Sequence, residues 1–144
     1  WIWHAKALKP ETAVSFRAEL ALPAGELEKA ALIFTCDDSA VVSVNGREVG
    51  SQTGSKLWYT PTPVCGLERT NLKPGRNVIE VAAVNHAGTG AGFLAMVEAT
   101  YKDGRIVRFP TNIRGWKVSN DGGKTFDVPV AVCPYGGQPY GYFK

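Results

Sequence analysis

The stretch that decides the fold is residues 32–50, LIFTCDDSAVVSVNGREVG. A hydrophobic run stops at two aspartates, and a second run rich in β-branched residues follows and turns at Asn45-Gly46. An Asn-Gly pair between two such runs indicates a two-residue β-hairpin, because both turn positions need a positive φ angle. The neighbourhood therefore predicts three successive strands, at residues 30–36, 40–44 and 47–49.

Strand-like patterns recur along the rest of the chain. Some segments alternate apolar and polar residues and others are rich in β-branched residues, and Asp103-Gly104 supplies a second hairpin signal between two of them. The segments are 16–22, 77–84, 93–101, 105–109 and 116–119. We therefore expect an all-β protein of about eight antiparallel strands, which is typical of a β-sandwich or jelly roll.

Two segments do not fit the strand pattern. The one plausible helix is a short turn at residues 25–29. The tail from residue 132, VCPYGGQPYGYFK, is rich in Gly, Pro and Tyr. It is either a final irregular strand or the start of a linker.

Composition predicts one folded domain over residues 1–144. With 44% hydrophobic and 20% charged residues, the chain can build a core without disulfides, and disorder is not expected. The net charge is only +3 and the basic residues are scattered, so nothing predicts nucleic-acid binding. No segment is long and apolar enough to predict a membrane span. Because the chain starts at Trp1, we expect a domain of a larger protein.

Catalysis is not expected from this sequence. Glycoside hydrolysis needs two carboxylates held on either side of a substrate, and Asp37 and Asp38 are too close in sequence to do this easily. His4 and His86 form neither a zinc motif nor a triad. The three cysteines, Cys36, Cys65 and Cys133, lack metal-type spacing. We expect buried or half-buried thiols, or in an exported protein one disulfide and one free thiol.

The order of the motifs resembles a known family. They run from residue 1 to about residue 127: Trp1-Ile2-Trp3, Phe16-Arg17, residues 31–38, Val44-Asn45-Gly46, residues 72–84, Gly92-Phe93-Leu94 and Trp116-Lys117. This arrangement resembles the galactose-binding-like jelly roll, and it is most similar to the non-catalytic β-sandwich domains appended to bacterial α-L-rhamnosidases and related glycoside hydrolases.

The resemblance implies a non-catalytic carbohydrate-binding module. Its partners would be a polysaccharide or oligosaccharide and the catalytic domain of the parent chain. That parent would be secreted, periplasmic or on the cell surface. The alternative is a structural or protein-docking β-sandwich that binds no sugar, since one fold hosts many functions.

A saccharide site needs an aromatic plate for the apolar face of the sugar and polar groups for its hydroxyls. Trp58 and Tyr59 lie in a loop-like stretch and could form the plate, or Trp58 could plug one end of the sandwich. Asn85 and His86 follow a strand, and each can donate and accept hydrogen bonds. The alternative without sugar binding is that Asn85 caps its own backbone and that His86 is simply exposed to solvent. Arg114 could bind a sugar or pair with a surface acid.

The two aspartates give a further expectation. Asp37 and Asp38 end a buried strand, where they could cap a turn or accept hydrogen bonds from sugar hydroxyls. With Asn85 they could also contribute to a calcium site, since calcium takes six to eight oxygen ligands. No dense acidic loop points to such a site, so the sequence alone does not decide whether calcium binds. No other cofactor is expected.

Overall fold

The computed structural model describes residues 1–53, 58–88 and 90–142, and these fold as an antiparallel β-sandwich. All eight predicted segments are strands, so the predicted fold class is confirmed. The described residues form eleven strands and one 3₁₀ turn (Leu67–Arg69): β1 (Ile2–Trp3), β2 (Thr12–Leu22), β3 (Leu27–Asp37), β4 (Ser39–Val44), β5 (Arg47–Gln52), β6 (Thr62–Cys65), β7 (Gly75–Asn85), β8 (Gly92–Tyr101), β9 (Ile106–Pro110), β10 (Trp116–Ser119) and β11 (Val130–Ala131).

The strands divide into two sheets. The six-stranded sheet has the order β11-β1-β8-β3-β6, with β9 also paired to β8. The five-stranded sheet has the order β10-β2-β7-β4-β5. Within the described part of the chain, no helix has the length and apolar character needed to cross a membrane.

Aromatic rings from both sheets meet in the middle of the core. Phe93 on β8 is fully buried, and its ring centroid lies 5.3 Å from Phe16 on β2 and 5.7 Å from Trp116 on β10. Phe34 on the neighbouring β3 lies 6.4 Å from the same ring. Inward-facing residues alternate with outward-facing ones along each strand. The predicted period-2 pattern therefore places these rings together between the two sheets.

The hairpin at Asn45-Gly46 forms as the sequence predicts. The φ angles of Asn45 and Gly46 are 51° and 80°, the positive values that the two-residue turn requires. Asn77, fully buried on β7, accepts a hydrogen bond from the Asn45 amide at 3.0 Å. The Asn45 side-chain oxygen in turn accepts one from the Val78 amide at 2.8 Å. These contacts fix the turn against the neighbouring strand.

Two local predictions are wrong. The expected helical turn at residues 25–29 is instead a bend followed by the start of β3, because Leu27 pairs with Tyr101 on β8. Cys36 and Cys133 are buried as expected, but Cys65 is exposed. It lies on β6, which pairs only with β3 among the described strands. All three thiols are free, so the structure contains no disulfide between them.

Replacing Phe93 by Ala should destabilise the domain by about 3–5 kcal/mol, because the change removes the ring that joins both sheets and leaves a cavity. Denaturant unfolding of the wild type and the variant measures this difference. Val128→Ala is the control: Val128 is 70% exposed, so its truncation should change stability by less than about 0.5 kcal/mol. Equal effects of the two substitutions would contradict the assigned core.

Candidate functional site

The two aspartates lie where the chain passes from one sheet to the other. Asp37 ends β3, and a cis peptide bond joins it to Asp38, which precedes β4. The Asp38 side chain is buried, and its Oδ2 accepts hydrogen bonds from the backbone N–H groups of His86 and Ala87 at 2.7 and 2.9 Å. Asp38 is therefore a cap, and it ties the loop after β7 to the crossover between the sheets.

Asp37 lies beside an aromatic side chain from the C-terminal tail. The hydroxyl of Tyr140 donates a hydrogen bond to Asp37 Oδ2 at 2.9 Å. Burial raises the pKa of the Asp37 carboxyl to about 7, and the Asp38 carboxyl beside it adds to the rise, whereas the hydrogen bond from Tyr140 opposes it. Near neutral pH, Asp37 is thus poised between an acceptor carboxylate and a neutral acid that can also donate.

An aromatic cluster lies next to Asp37. The rings of Trp1 and Tyr140 stack at 4.0 Å, and Trp58 meets both edge-on, at 6.3 and 5.2 Å. Trp1 and Tyr140 are buried, while Trp58 is half-buried and Tyr59, edge-on to Trp58 at 5.5 Å, is 38% exposed. The cluster therefore presents part of Trp58 and Tyr59 to solvent.

The cluster depends on a glycine beneath it and a threonine beside it. A Cβ atom at Gly92 would lie 2.9 Å from Trp1 and 3.0 Å from Tyr140, so the stack needs a residue without a side chain there. The hydroxyl of Thr35 donates to the backbone carbonyl of Trp58 at 2.6 Å. Thr35 is two residues before Asp37 on β3 and so shares its face of the sheet.

His86 completes this end of the molecule. Its side chain is exposed, and Nε2 lies 2.8 Å from the Ser39 hydroxyl on β4. We call the group Trp1, Asp37, Asp38, Trp58, Tyr59, His86 and Tyr140 the rim. Five of its members, Asp37, Asp38, Trp58, Tyr59 and His86, are residues that the sequence analysis singled out.

Two other predicted site residues lie away from the rim surface. Asn85 has the same inward orientation as Ala83 and Val81 on β7 and is fully buried, with its amide nitrogen 3.3 Å from the Lys9 carbonyl. Arg114 is exposed in the loop after β9, which pairs with the edge of β8 opposite to β3. Neither side chain joins the carboxyl groups and aromatic rings at the rim.

Among the described residues, the side-chain oxygens of Asp37, Asp38 and Asn85 do not converge on one point, as the calcium site suggested by the sequence would require. Asp37 and Asp38 are adjacent, but each has a side-chain oxygen engaged by protein donors, and Asn85 is directed elsewhere. Across the described ranges, no group of three or more His, Cys, Asp or Glu side chains could hold a metal ion. A calcium ion here would need oxygens from backbone carbonyls, a saccharide or water in addition to the two carboxylates.

Two members of the rim, Trp1 and Tyr140, were not among the predicted site residues. The tail tyrosines Tyr135, Tyr140 and Tyr142 could extend a binding face or equally be edge packing or part of a linker. Trp1 was recognised as part of a motif, without a role in the site. Tyr140 contacts Asp37 from 103 positions away in the chain, out of a Gly- and Pro-rich tail without periodicity. The cluster of three tyrosines in that tail was the available signal. It singled out the segment but could not indicate which ring would be buried.

Comparison with known structures finds the same fold in parts of two α-L-rhamnosidases and in a lectin. It superposes on part of a Streptomyces avermitilis α-L-rhamnosidase complexed with L-rhamnose, with a TM-score of 0.88 and 22% identity over 99% of this chain. A Pleurotus ostreatus lectin gives 0.79 and 24% over 98%, and a GH78 rhamnosidase of Bacillus sp. GL1 gives 0.76 and 20% over 99%. The predicted resemblance is confirmed at the level of the fold.

The chain spans only a fraction of each of these proteins: 15% of the Streptomyces enzyme, 43% of the lectin and 19% of the Bacillus enzyme. At 20–24% identity the likeness concerns the fold alone. No protein-family model matches the sequence, and comparison with curated proteins gives no match.

The raised pKa of Asp37 predicts a pH-dependent stability. Between the ordinary aspartate pKa, about 4, and the folded value of about 7, the folded state retains a proton that the unfolded state has released. Protonated Asp37 therefore contributes its whole stabilisation of the folded state below about pH 4. This contribution is lost as the pH rises to about 7. Asp37→Asn cannot ionise and should gain roughly 1–2 kcal/mol relative to wild type between pH 4 and pH 7, after discounting for partial exposure.

Denaturant unfolding of both proteins at the two pH values measures this gain. Asp103→Asn is the control: the backbone N–H of Arg105 donates to the Asp103 carboxyl and lowers its pKa, so Asp103 is ionised in both the folded and the unfolded state over most of this range, and its difference from wild type should hardly change with pH. A difference between Asp37→Asn and wild type that stays constant over the pH range would refute the assigned environment of Asp37.

Proposed function

We propose that this chain is a non-catalytic carbohydrate-binding domain that holds a saccharide at the rim. One observation carries the proposal: a partly exposed tryptophan lies next to a carboxyl group at one end of the sandwich, and the backbone of His86 is tied to the same crossover. The Trp58 ring lies 5.2 Å from Tyr140, whose hydroxyl contacts Asp37, and Asp38 fixes the backbone of His86.

Each group has a part in recognition. The exposed portions of Trp58 and Tyr59 stack on the apolar face of a sugar ring. Asp37 accepts hydrogen bonds from sugar hydroxyls, and His86 can donate or accept. Binding is weak at a single site, because the hydroxyls give up water partners of similar strength and the sugar loses its freedom of motion.

The same geometry supports a role without catalysis. Glycosidases place two carboxyl groups about 5–9 Å apart on either side of the bond they cleave. Asp38 is 2% exposed and its Oδ2 is taken by two backbone amides, so it cannot face Asp37 across a substrate. Burial raises the pKa of the Cys36 thiol well above its ordinary value, which argues against a thiolate nucleophile at the end of β3.

The comparisons support a proposal about the wider context of this domain. Since the two rhamnosidases are far longer than the segment matched, we propose that this domain accompanies a catalytic domain in its parent chain and tethers it to a glycan. We propose that the partner is a polysaccharide or oligosaccharide and that the parent is secreted, periplasmic or on the cell surface. Arg114 and Asn85 then act outside the direct contact surface, Asn85 by supporting the loop that carries residues 8 and 9.

Trp58→Ala should weaken saccharide binding about five- to thirtyfold, because stacking on one aromatic ring accounts for roughly 1–2 kcal/mol. Suitable probes are L-rhamnose and GalNAc, the sugars bound in two of the neighbouring structures. Isothermal titration of the wild type and the variant measures the loss. The free energy of unfolding should fall by no more than about 2 kcal/mol, since the ring is only half-buried.

Tyr142→Ala provides the control: it removes an aromatic ring of the C-terminal tail that is 70% exposed and outside the rim. It should bind both sugars like the wild type. Repeating the titration with a calcium chelator tests the metal independently. If wild type binds neither sugar, nor any member of a glycan array, the domain has a structural or protein-docking role instead.

A further inference from the structure

A large groove crosses the outer face of the six-stranded sheet next to the rim. Its volume is about 870 Å³, within the range of small-molecule sites. Leu94 and Met96 on β8 and Ile33 on β3 belong to its lining, and Ile113 and Tyr135 lie along its sides. Ile33, Ile113 and Tyr135 are 39%, 43% and 49% exposed, so solvent reaches an unusual amount of apolar surface here.

The groove offers almost no polar partner to an occupant. Among the described residues that line it, none has a charged side chain. Asn112 uses its side-chain oxygen for the amides of Arg114 and Gly115, at 2.9 and 2.6 Å, and its nitrogen for the carbonyl of Pro110. Thr111 accepts from the amide of Ala95. A polar or charged occupant would lose its water without replacement, so the occupant must be apolar and uncharged.

The groove is continuous with the rim. Trp1 lines the groove and stacks on Tyr140 in the rim, and Leu94 lines the groove while packing against the same aromatic cluster. Along β3, Ile33 and Asp37 point to the same face, four residues or about 13 Å apart. That span is within reach of one sugar ring carrying an attached hydrocarbon chain.

We infer that the ligand is an amphiphilic glycoside, whose sugar is held at the rim and whose apolar aglycone or acyl chain lies in the groove. The inference rests on the proposed saccharide site and names the class of molecule that it serves. The concave shape fits a chain or ring better than the flat face of another protein, and the continuity through Trp1 and Leu94 links the two parts of one ligand.

A pair of ligands that differ only in the tail tests the inference. Methyl and n-octyl α-L-rhamnosides, the latter below its micelle concentration, are titrated into the full chain. Each methylene that leaves water should strengthen binding about fourfold, so the octyl glycoside should bind at least tenfold tighter than the methyl glycoside. Ile33→Gln and Ile113→Gln should each remove most of this advantage, and both positions are exposed enough for the fold to tolerate the change.

The control Ile106→Gln alters an isoleucine that is 51% exposed and outside the groove, and it should keep the full octyl advantage. Equal affinity of wild type for the two glycosides would overturn the inference while leaving saccharide binding intact. If neither glycoside binds but the neutral dye N-phenyl-1-naphthylamine does, the proposed saccharide site is wrong. The amphiphile inference, which rests on that site, is then wrong as well. A concentration-dependent dimer that Ile33→Gln dissolves would show that a second copy fills the groove, and would also overturn the inference.

Discussion

The carboxylate of Asp38 lies where the chain leaves the six-stranded sheet for the five-stranded one, and it accepts hydrogen bonds from two backbone amides of the loop after β7. A buried carboxylate is costly unless its oxygens are hydrogen-bonded. The Asp38 carboxylate therefore has its partners only when the crossover from β3 to β4 lies against the loop after β7. With Asp38 directed inward, Asp37 faces the outer surface. Asp38 also holds the backbone of His86, and the polar part of the rim follows from this one constraint.

Packing of aromatic side chains forms the apolar part of the rim. Tyr140 brings the C-terminal tail back to β3 and stacks on Trp1, so that both chain ends close over Gly92. Trp58 leans against this pair and keeps part of its ring in solvent. A polar edge and an apolar groove thus adjoin on one face of the sandwich, and the proposed ligand has the same two-part character.

Strand positions were predictable because alternation and turn chemistry are local, as at Asn45-Gly46 and Asp103-Gly104. The short strands β1, β6 and β11 were not predicted. β1 and β11 are only two residues long, and β6 lies in a loop-like stretch that contains a proline, so all three are defined by their pairing with other strands. For the site, Asp37 and His86 were predictable as polar residues directly after strands. Alternation along β7 could have shown that Asn85 faces the core with Ala83, whereas the Tyr140 contact depends on long-range packing that no local pattern encodes.

The central claim is that a saccharide binds against the rim, and the four tryptophan indole N–H signals test it in one NMR titration. Trp1 and Trp58 lie in the rim, whereas Trp3 and Trp116 are core residues whose indoles donate to the carbonyls of residues 7 and 110. On titration with L-rhamnose or GalNAc, the two rim signals should shift along one saturating curve while the two core signals stay fixed. Saturable binding that leaves Trp1 and Trp58 unmoved would contradict the account.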